Sequence, residues 1–406
     1  MNPPVAPLRV AFVSLHTSPL ADPGQGDAGG MNVVERHVAL ALARAGHTVD
    51  IFTRRSDPTA ADVIEVTERV RLVHLTAGPA APLAKSAMEQ AIEPFGRALE
   101  QTMAGSRPYD IVHSHHWFSG VSALPVARRH GVPHVQSFHS VAAPAGAVSP
   151  AAGETAESAG RIAGERLTAV GSDLVVAVSD AEAATVRERY AVPAGRIAIA
   201  RPGVDVAGFH PVADGEDPPA ATPYLLFAAR LQPLKGPDLA LDVLAALAPA
   251  HPDLGLILTG AASQDFRGYA DELRERAQRL GIADRTEFVG PRTRSRLAAL
   301  MRHAEVFLLP SWSETFGLVA LESQASGVPV VGWRHAGGLA EAVAPDGGIL
   351  LDSREPGEWA AAVAGLLADP SARASLGAGA RRFALDHTWE TTAAALVGAY
   401  ARVVRR

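Results

Sequence analysis

The chain has 406 residues and no cysteine, which excludes disulfides, thiolate metal sites and cysteine nucleophiles. It lacks any run approaching about eighteen consecutive apolar residues, so no membrane-spanning helix is expected. The start, MNPPVAPLRVAFVSLHTSP, has no basic region leading into an apolar stretch. No signal peptide is expected there, and a soluble cytoplasmic protein is the default expectation. Basic residues do not outnumber acidic ones: 37 Lys and Arg against 43 Asp and Glu leave a net charge of -6, which argues against a general nucleic-acid binder. No Asp-x-Asp occurs, which suits chemistry that needs no divalent metal. His113, His115 and His116 cluster at the end of one apolar run, yet no further residue stands at zinc-site spacing. The expectation is therefore no metal, with His113 and His115 in packing or hydrogen-bonding roles.

What is present is the means to build large cores. Hydrophobic residues make up 48% of the chain and charged ones 20%, a globular balance, and the length suits two α/β domains. Short apolar runs alternate with longer helical patterns, which predicts repeated β-α units and parallel sheets. The first half offers LRVAFVSL, HTVDIFT, RLVHLT, DIVHSH, HVQSFH, DLVVAVS and RIAIARPG as strands. The segment HPVADGEDPPAATP, residues 210 to 223, supplies Pro, Gly and acidic residues without periodicity and reads as a linker. The pattern restarts with YLLFAAR, LGLILTG, TEFVG, VFLLPS, PVVGW and GGILLD. Two doubly wound, Rossmann-like domains are expected, over 1-210 and 211-387. Their ligand cleft should lie between them, outside the C-terminal ends of the strands.

Three segments carry chemistry. In PSWSETFGLVALESQASGVPVV, residues 310 to 331, Glu314 and Glu322 stand eight positions apart around a Thr-Phe-Gly-Leu turn. A strand feeding a helix through such a turn leaves backbone N–H groups free for phosphate or sugar oxygens, while the two carboxylates can hold hydroxyls. After the first strand, Gly24, Gly26, Gly29 and Gly30 crowd a turn, and an amphipathic helix is predicted from about Met31. Glycine there lets backbone approach a diphosphate. No Gly-Lys-Ser/Thr follows, so it is not a Walker A loop, and the Rossmann glycine spacing is absent too. In ARLQPLKG, Arg230 and Lys235 flank a Pro-containing turn and can converge on one diphosphate, the first as a bidentate fork and the second as a movable point charge.

The string SETFGLVALE resembles the Glu-x7-Glu signature of retaining glycosyltransferases with the GT-B fold. HTSPL followed by PGQGDAGGMNV, together with DIVHSHHWFSG, RPGVD, ARLQPLKGPD and FVGPR, extends the resemblance to glycosyltransferase family 4 and nearly the whole chain. The opening string is most similar to the mycothiol branch, whose members transfer GlcNAc to inositol phosphate. The resemblance implies a GT-B fold whose last helical stretch, 388-406, packs back on the first domain. It implies a UDP-sugar donor, UDP-GlcNAc first among them, retention of configuration, no required cofactor, any Mg2+ being structural, and a homodimer. His139, Arg230, Lys235 and Glu314 take the catalytic positions. Gly30, Arg292, Phe316, Gly317, Leu318 and Glu322 complete the donor site, with Glu314 on sugar hydroxyls and Glu322 on the ribose.

For the acceptor, the resemblance places Lys85 and Arg161 at phosphate-holding positions. Ser140 stands where the branch has Thr, and His116 where it has Tyr, which makes that contact pH-sensitive. His16, Asp27 and Asn32 fall where the cyclitol binds. The departure is largest over 141-160, where VAAPAGAVSPAAGETAESAG replaces a stretch carrying Lys and Asn. The expected acceptor is a small polar, phosphorylated alcohol such as 1D-myo-inositol 3-phosphate. Alternatives are a sugar phosphate, a natural-product aglycone or phosphatidylinositol. From other classes come a GT-B nucleotide-sugar epimerase and a non-catalytic nucleotide-sugar binder.

Overall fold

The computed structural model describes residues 6–22, 28–142, 158–262, 266 and 268–404, without the side chains of Lys85 and Ser86. The first sheet contains β1 (Arg9–Ser14), β2 (Thr48–Arg54), β3 (Val63–Thr67), β4 (Val70–Leu75), β5 (Ile111–His115), β6 (His134–Ser137), β7 (Leu174–Ala177) and β8 (Ile197–Ile199). The strand order is β3-β4-β2-β1-β5-β6-β7-β8. The second sheet contains β9 (Tyr224–Ala228), β10 (Gly255–Thr259), β11 (Thr286–Gly290), β12 (Val306–Leu309), β13 (Val330–Trp333) and β14 (Gly348–Leu351), in the order β11-β10-β9-β12-β13-β14.

Every pairing in both sheets is parallel except β3 with β4. Strand β3 was not foreseen. It alternates Val-Ile-Glu-Val-Thr at the sheet edge with almost every residue exposed, so it lacks the continuous apolar run that marks the buried strands. All thirteen predicted runs contain observed strands.

Helices cover the sheets: α1 (Gly30–Arg44), α2 (Ile92–Ala104), α3 (His116–Arg129), α4 (Ala159–Gly171) and α5 (Asp180–Tyr190) in the first half, then α6 (Pro237–Leu247), α7 (Tyr269–Arg279), α8 (Arg294–Arg302), α9 (Leu318–Ala325), α10 (Leu339–Ala342), α11 (Pro356–Ala368), α12 (Pro370–Asp386) and α13 (Trp389–Tyr400). One face of the first sheet packs Val10, Phe12 and Ile51 against Leu42 of α1 and Leu396 of α13. The other packs Val13 and Phe52 against Phe95, Leu99 and Trp117. Each fully buried Phe or Leu side chain contributes about 1.5–3 kcal/mol. The last helix returns to the first sheet: Trp389 stacks on His37 with ring centroids 4.9 Å apart, and Tyr400 Oη lies 2.7 Å from His113 Nδ1.

Contacts between the halves hold the cleft. Ser179 Oγ donates to Thr315 O at 2.7 Å, and Thr315 Oγ1 donates to His139 O at 2.8 Å. The Glu341 carboxylate of α10 accepts the backbone N–H groups of Asp180 and Ala181, both at 2.9 Å, so one domain caps a helix of the other. Among the described residues, no helix is long and apolar enough to cross a membrane.

Candidate active site

Strand β1 has β2 on one side and β5 on the other, and β9 lies likewise between β10 and β12. At such switch points the loops leaving neighbouring strands diverge and open a crevice. The segments after β1, β5, β6, β9, β11 and β12 carry the histidines, glycines, cations and glutamates singled out above. Two adjoining cavities fill the crevice. One, of about 230 Å³, is lined by Gly30, Arg230, Lys235, Arg292, Glu314 and Glu322, among others. The second, of about 290 Å³, is lined by His16, Asn32, His116, His139, Ser140, Phe316 and Gly317, among others. Gly29, Gly30, Arg230, Lys235, Glu314 and Leu318 belong to both.

The glycine wall is open on its cavity side. Among the described residues, a Cβ added at Gly29 or Gly30 would meet no heavy atom within 4 Å, so their packing does not demand glycine there. The bare backbone instead leaves room for a ligand at the start of α1, whose first N–H groups have no intrahelical acceptor. Asn32 is committed to building this wall. It accepts Gly29 N–H at 2.9 Å, and its amide donates to Thr17 Oγ1 and Ser18 O, both at 2.9 Å. Asp27, Gly24 and Gly26 lie outside the described residues.

Opposite stand the cations. Lys235 ends a short 3-10 turn, Pro233–Lys235, and Gly236 follows at φ 67° with a Cβ site only 2.3 Å from Pro310 O. A side chain there would collide with backbone, so the turn that aims Lys235 requires this glycine. Lys235 Nζ pairs with Glu314 Oε1 at 2.8 Å, and Ser311 Oγ donates to the same oxygen at 2.6 Å. Among the described residues both bonds fall on Oε1, which leaves Glu314 Oε2 for a ligand. Arg230 reaches both cavities and makes no ion pair among the described residues. Gly317, left-handed at φ 101°, caps α9, so the Phe316–Leu318 backbone enters the second cavity at a helix N-terminus.

Glu322 is buried and bonds Arg294 Nη1 at 2.5 Å. Burial pushes its carboxyl above the ordinary range, and Arg294 draws it back. Arg294 also lies over the Phe209 ring, 4.6 Å from its centroid. Arg292 is exposed at the mouth of the same cavity.

His139 sits in the left-handed region at φ 59°, which a non-glycine residue adopts only when its surroundings hold it. Thr315 bonds its carbonyl, and His115 Nδ1 lies 2.9 Å from its Nε2. Burial lowers the His139 ring to about 4, so it is neutral at ordinary pH. Nearby Glu182 accepts Val178 N–H at 2.7 Å, and burial lifts it to about 7, with the amides of Val178 and His139 pulling the other way.

The acceptor candidates divide. His116, at φ 69°, opens α3 with its ring 4.4 Å from that of His16, and both line the second cavity with Ser140. Arg161 stands behind Ser140: its Nε bonds buried Glu165 at 2.8 Å and its Nη2 bonds Ser140 Oγ at 3.1 Å. Lys85 begins the 3-10 stretch Lys85–Ala91, with its side chain outside the described residues. Most of 141-160 lies outside them as well.

Comparison with known proteins decides the family. Residues 28–207 match the model for Glycosyltransferase Family 4, and 214–383 that for glycosyl transferases group 1. A relative from Jonesia denitrificans, named D-inositol 3-phosphate glycosyltransferase, is 40% identical and covers 97% of this chain and 96% of its own. One of the same name from Kineococcus radiotolerans is 39% identical, over 98% and 96%. The chain belongs to glycosyltransferase family 4.

The solved structures agree on the fold of this glycosyltransferase. Sucrose-phosphate synthase from Thermosynechococcus elongatus superposes with a TM-score of 0.87 at 29% identity, covering 98% of this chain and 99% of that one. Anabaena Alr3699/HepE, solved with UDP and glucose, superposes at 0.74 with 20% identity, over 97% and 99% of the two chains, a likeness of fold. The protein is thus a GT-B enzyme that transfers a sugar.

Several residues of the site escaped the sequence reading. Thr315 lies inside SETFG, but its bond to His139 crosses the cleft. Arg294 stands two positions past Arg292, and its pairing with Glu322 spans 28 positions. Glu35 was passed over as part of a helical pattern. The structure brings one ligand-capable atom from each of Glu35, His115 and His139 within 4.8 Å of the others, a grouping that spacing along the chain did not disclose.

Proposed function

We propose that this glycosyltransferase moves GlcNAc from UDP-GlcNAc to a small phosphorylated polyol of the 1D-myo-inositol 3-phosphate type, with retention at the anomeric carbon. The observation that carries the reading is the shared wall: Gly30, Arg230, Lys235 and Glu314 line both cavities, so a diphosphate held there has room for a nucleoside on one side and a sugar on the other. Glu322, oriented by Arg294, meets the ribose hydroxyls, and Arg292 flanks the base. Glu314 Oε2 and the Phe316–Leu318 backbone take the donor sugar, with His139 on its opposite face. His16, His116 and Ser140 face the acceptor, and Arg161 supports Ser140 from behind.

The chemistry follows from charge. As the glycosidic C1–O bond breaks, the electron pair passes to the leaving diphosphate, and Arg230 and Lys235 stabilise that charge in place. The acceptor hydroxyl attacks C1 from the same face, and its proton passes to the departing phosphate oxygen. Positioning and electrostatics supply the rate, without an enzyme nucleophile. This reading assigns the diphosphate charge to side chains rather than a divalent cation, so a chelator should leave the rate unchanged. The names of the relatives support the phosphorylated acceptor. The test is a panel of UDP-, GDP- and ADP-sugars against inositol phosphates and unphosphorylated polyols, read by mass spectrometry. A GlcNAc adduct on inositol phosphate is expected; transfer confined to unphosphorylated acceptors would overturn the acceptor assignment.

A further inference from the structure

Glu35 is a buried acid beside the site that the proposed chemistry leaves without a task. Glu35 lies on the core-facing side of α1 beside Asn32, Val33 and Val38, with none of its surface exposed. Its Oε1 accepts from Ser14 Oγ at 3.2 Å, while its Oε2 is buried with no hydrogen-bond partner among the described residues. Burying a carboxyl costs free energy that an apolar residue at this position would not incur. The ring nitrogen His115 Nε2 is likewise buried and unpartnered among the described residues. One carboxylate oxygen of Glu35 and one ring nitrogen each of His115 and His139 lie within 4.8 Å of one another, a separation that one bridging water or a small rotation of the Glu35 side chain can span. From His115 the chain of contacts is direct: Nδ1 lies 2.9 Å from His139 Nε2.

We propose that Glu35 and His115 are positioning residues that set the tautomer of His139, and so decide whether its remaining ring nitrogen offers the donor sugar a proton or a lone pair. The inference rests on the placement of His139 against the donor sugar. Because Nε2 of His139 is taken by His115, only Nδ1 is left for a ligand. A neutral Glu35 donates its proton toward His115 Nε2; His115 then carries its proton on Nδ1 and donates to His139 Nε2, and His139 presents Nδ1–H to a sugar oxygen. An ionised Glu35 reverses every bond, and His139 Nδ1 becomes an acceptor. The surroundings select the first arrangement. Burial raises Glu35 well above the ordinary carboxyl range. It also holds His115 on β5, His113 behind it and His139 after β6 in their neutral forms. Tyr400 of α13 faces His113, and Ser14 of β1 is the polar side chain bonded to Glu35.

The test compares Glu35→Gln and Glu35→Met in the full chain. Glutamine keeps an N–H donor toward His115 and should retain kcat within about twofold. Methionine removes it, and kcat should fall about tenfold while the donor KM and the Kd for UDP stay within about twofold. The melting temperature of Glu35→Met should not fall, since a buried acid has been replaced by an apolar chain. The direct readout is the 15N chemical shifts of His115 and His139 with labelled histidine. Their tautomers should change in Glu35→Met and persist in Glu35→Gln. Unchanged tautomers in Glu35→Met overturn the relay. Changed tautomers with unchanged kcat uphold the relay and overturn the placement of His139 at the donor sugar. Stoichiometric zinc in the purified protein that is lost in Glu35→Met would overturn the relay in favour of a metal site.

Discussion

Lys235 Nζ lies 2.8 Å from Glu314 Oε1, joining the cation of one loop to the carboxylate of another on the floor that both cavities share. The pair has two consequences. Lys235 and Ser311 both bond Glu314 Oε1, so in the proposed reading Oε2 serves the sugar and Lys235 the diphosphate. On that reading, losing one member should disturb both binding and chemistry.

Lys235→Ala should lower kcat by about 10²-fold or more, the scale of a lost transition-state contact. Steady-state kinetics with the nucleotide sugar checks this. Near-normal turnover would remove Lys235 from the donor site.

Arg294→Ala should both weaken donor binding and destabilise the fold, because Glu322 is left buried without its partner. Breaking a fully buried pair costs about 3–5 kcal/mol; the cost here is smaller, since the Arg294 side chain is 31% exposed. The deficit should depend on pH. Burial raises Glu322, so at low pH it is protonated in both proteins and the difference is small. As pH rises through its folded value, only the wild type can ionise it beside a cation, and the melting-temperature gap should widen. A gap independent of pH would contradict the pairing.

Glu182→Gln gives a second pH signature. Burial raises the Glu182 carboxyl from 4.5 to about 7, so the fold favours its neutral form. That contribution to stability is full below about pH 4.5 and is lost as pH rises to about 7. Glutamine does not ionise. The variant's melting temperature relative to wild type should therefore rise between pH 5 and 7 and level off above, measured by differential scanning calorimetry.

Arg161→Ala should raise the acceptor KM for phosphorylated acceptors and lower the melting temperature, because Glu165 loses its 2.8 Å partner while Ser140 loses its donor. Kinetics on matched acceptors with and without phosphate separates the two effects. Equal damage to both would assign Arg161 to scaffolding alone.

The periodic parts of this protein were open to reading from sequence because strands buried on both faces must be nearly continuous apolar runs. TEFVG coincides with β11 residue for residue. Edge strand β3 was missed because no core demands apolar residues there. The cavity wall formed by Glu314, Arg230 and Lys235 was legible because these residues lie in short segments whose turns place them locally. What stayed hidden were contacts between residues far apart in sequence. Arg294 reaches Glu322 within the second domain, Glu35 comes near His115 within the first, and Thr315 meets His139 across the cleft; such pairings form only with the tertiary fold and leave no periodic trace in the sequence.

The most direct measurement is the anomeric configuration of the product formed from UDP-GlcNAc and an inositol phosphate, read by proton NMR. An α-linked GlcNAc–inositol phosphate is predicted, matching the donor. A β-linked product, or UDP-GlcNAc that binds yet is never transferred to the phosphorylated polyol, would contradict the account.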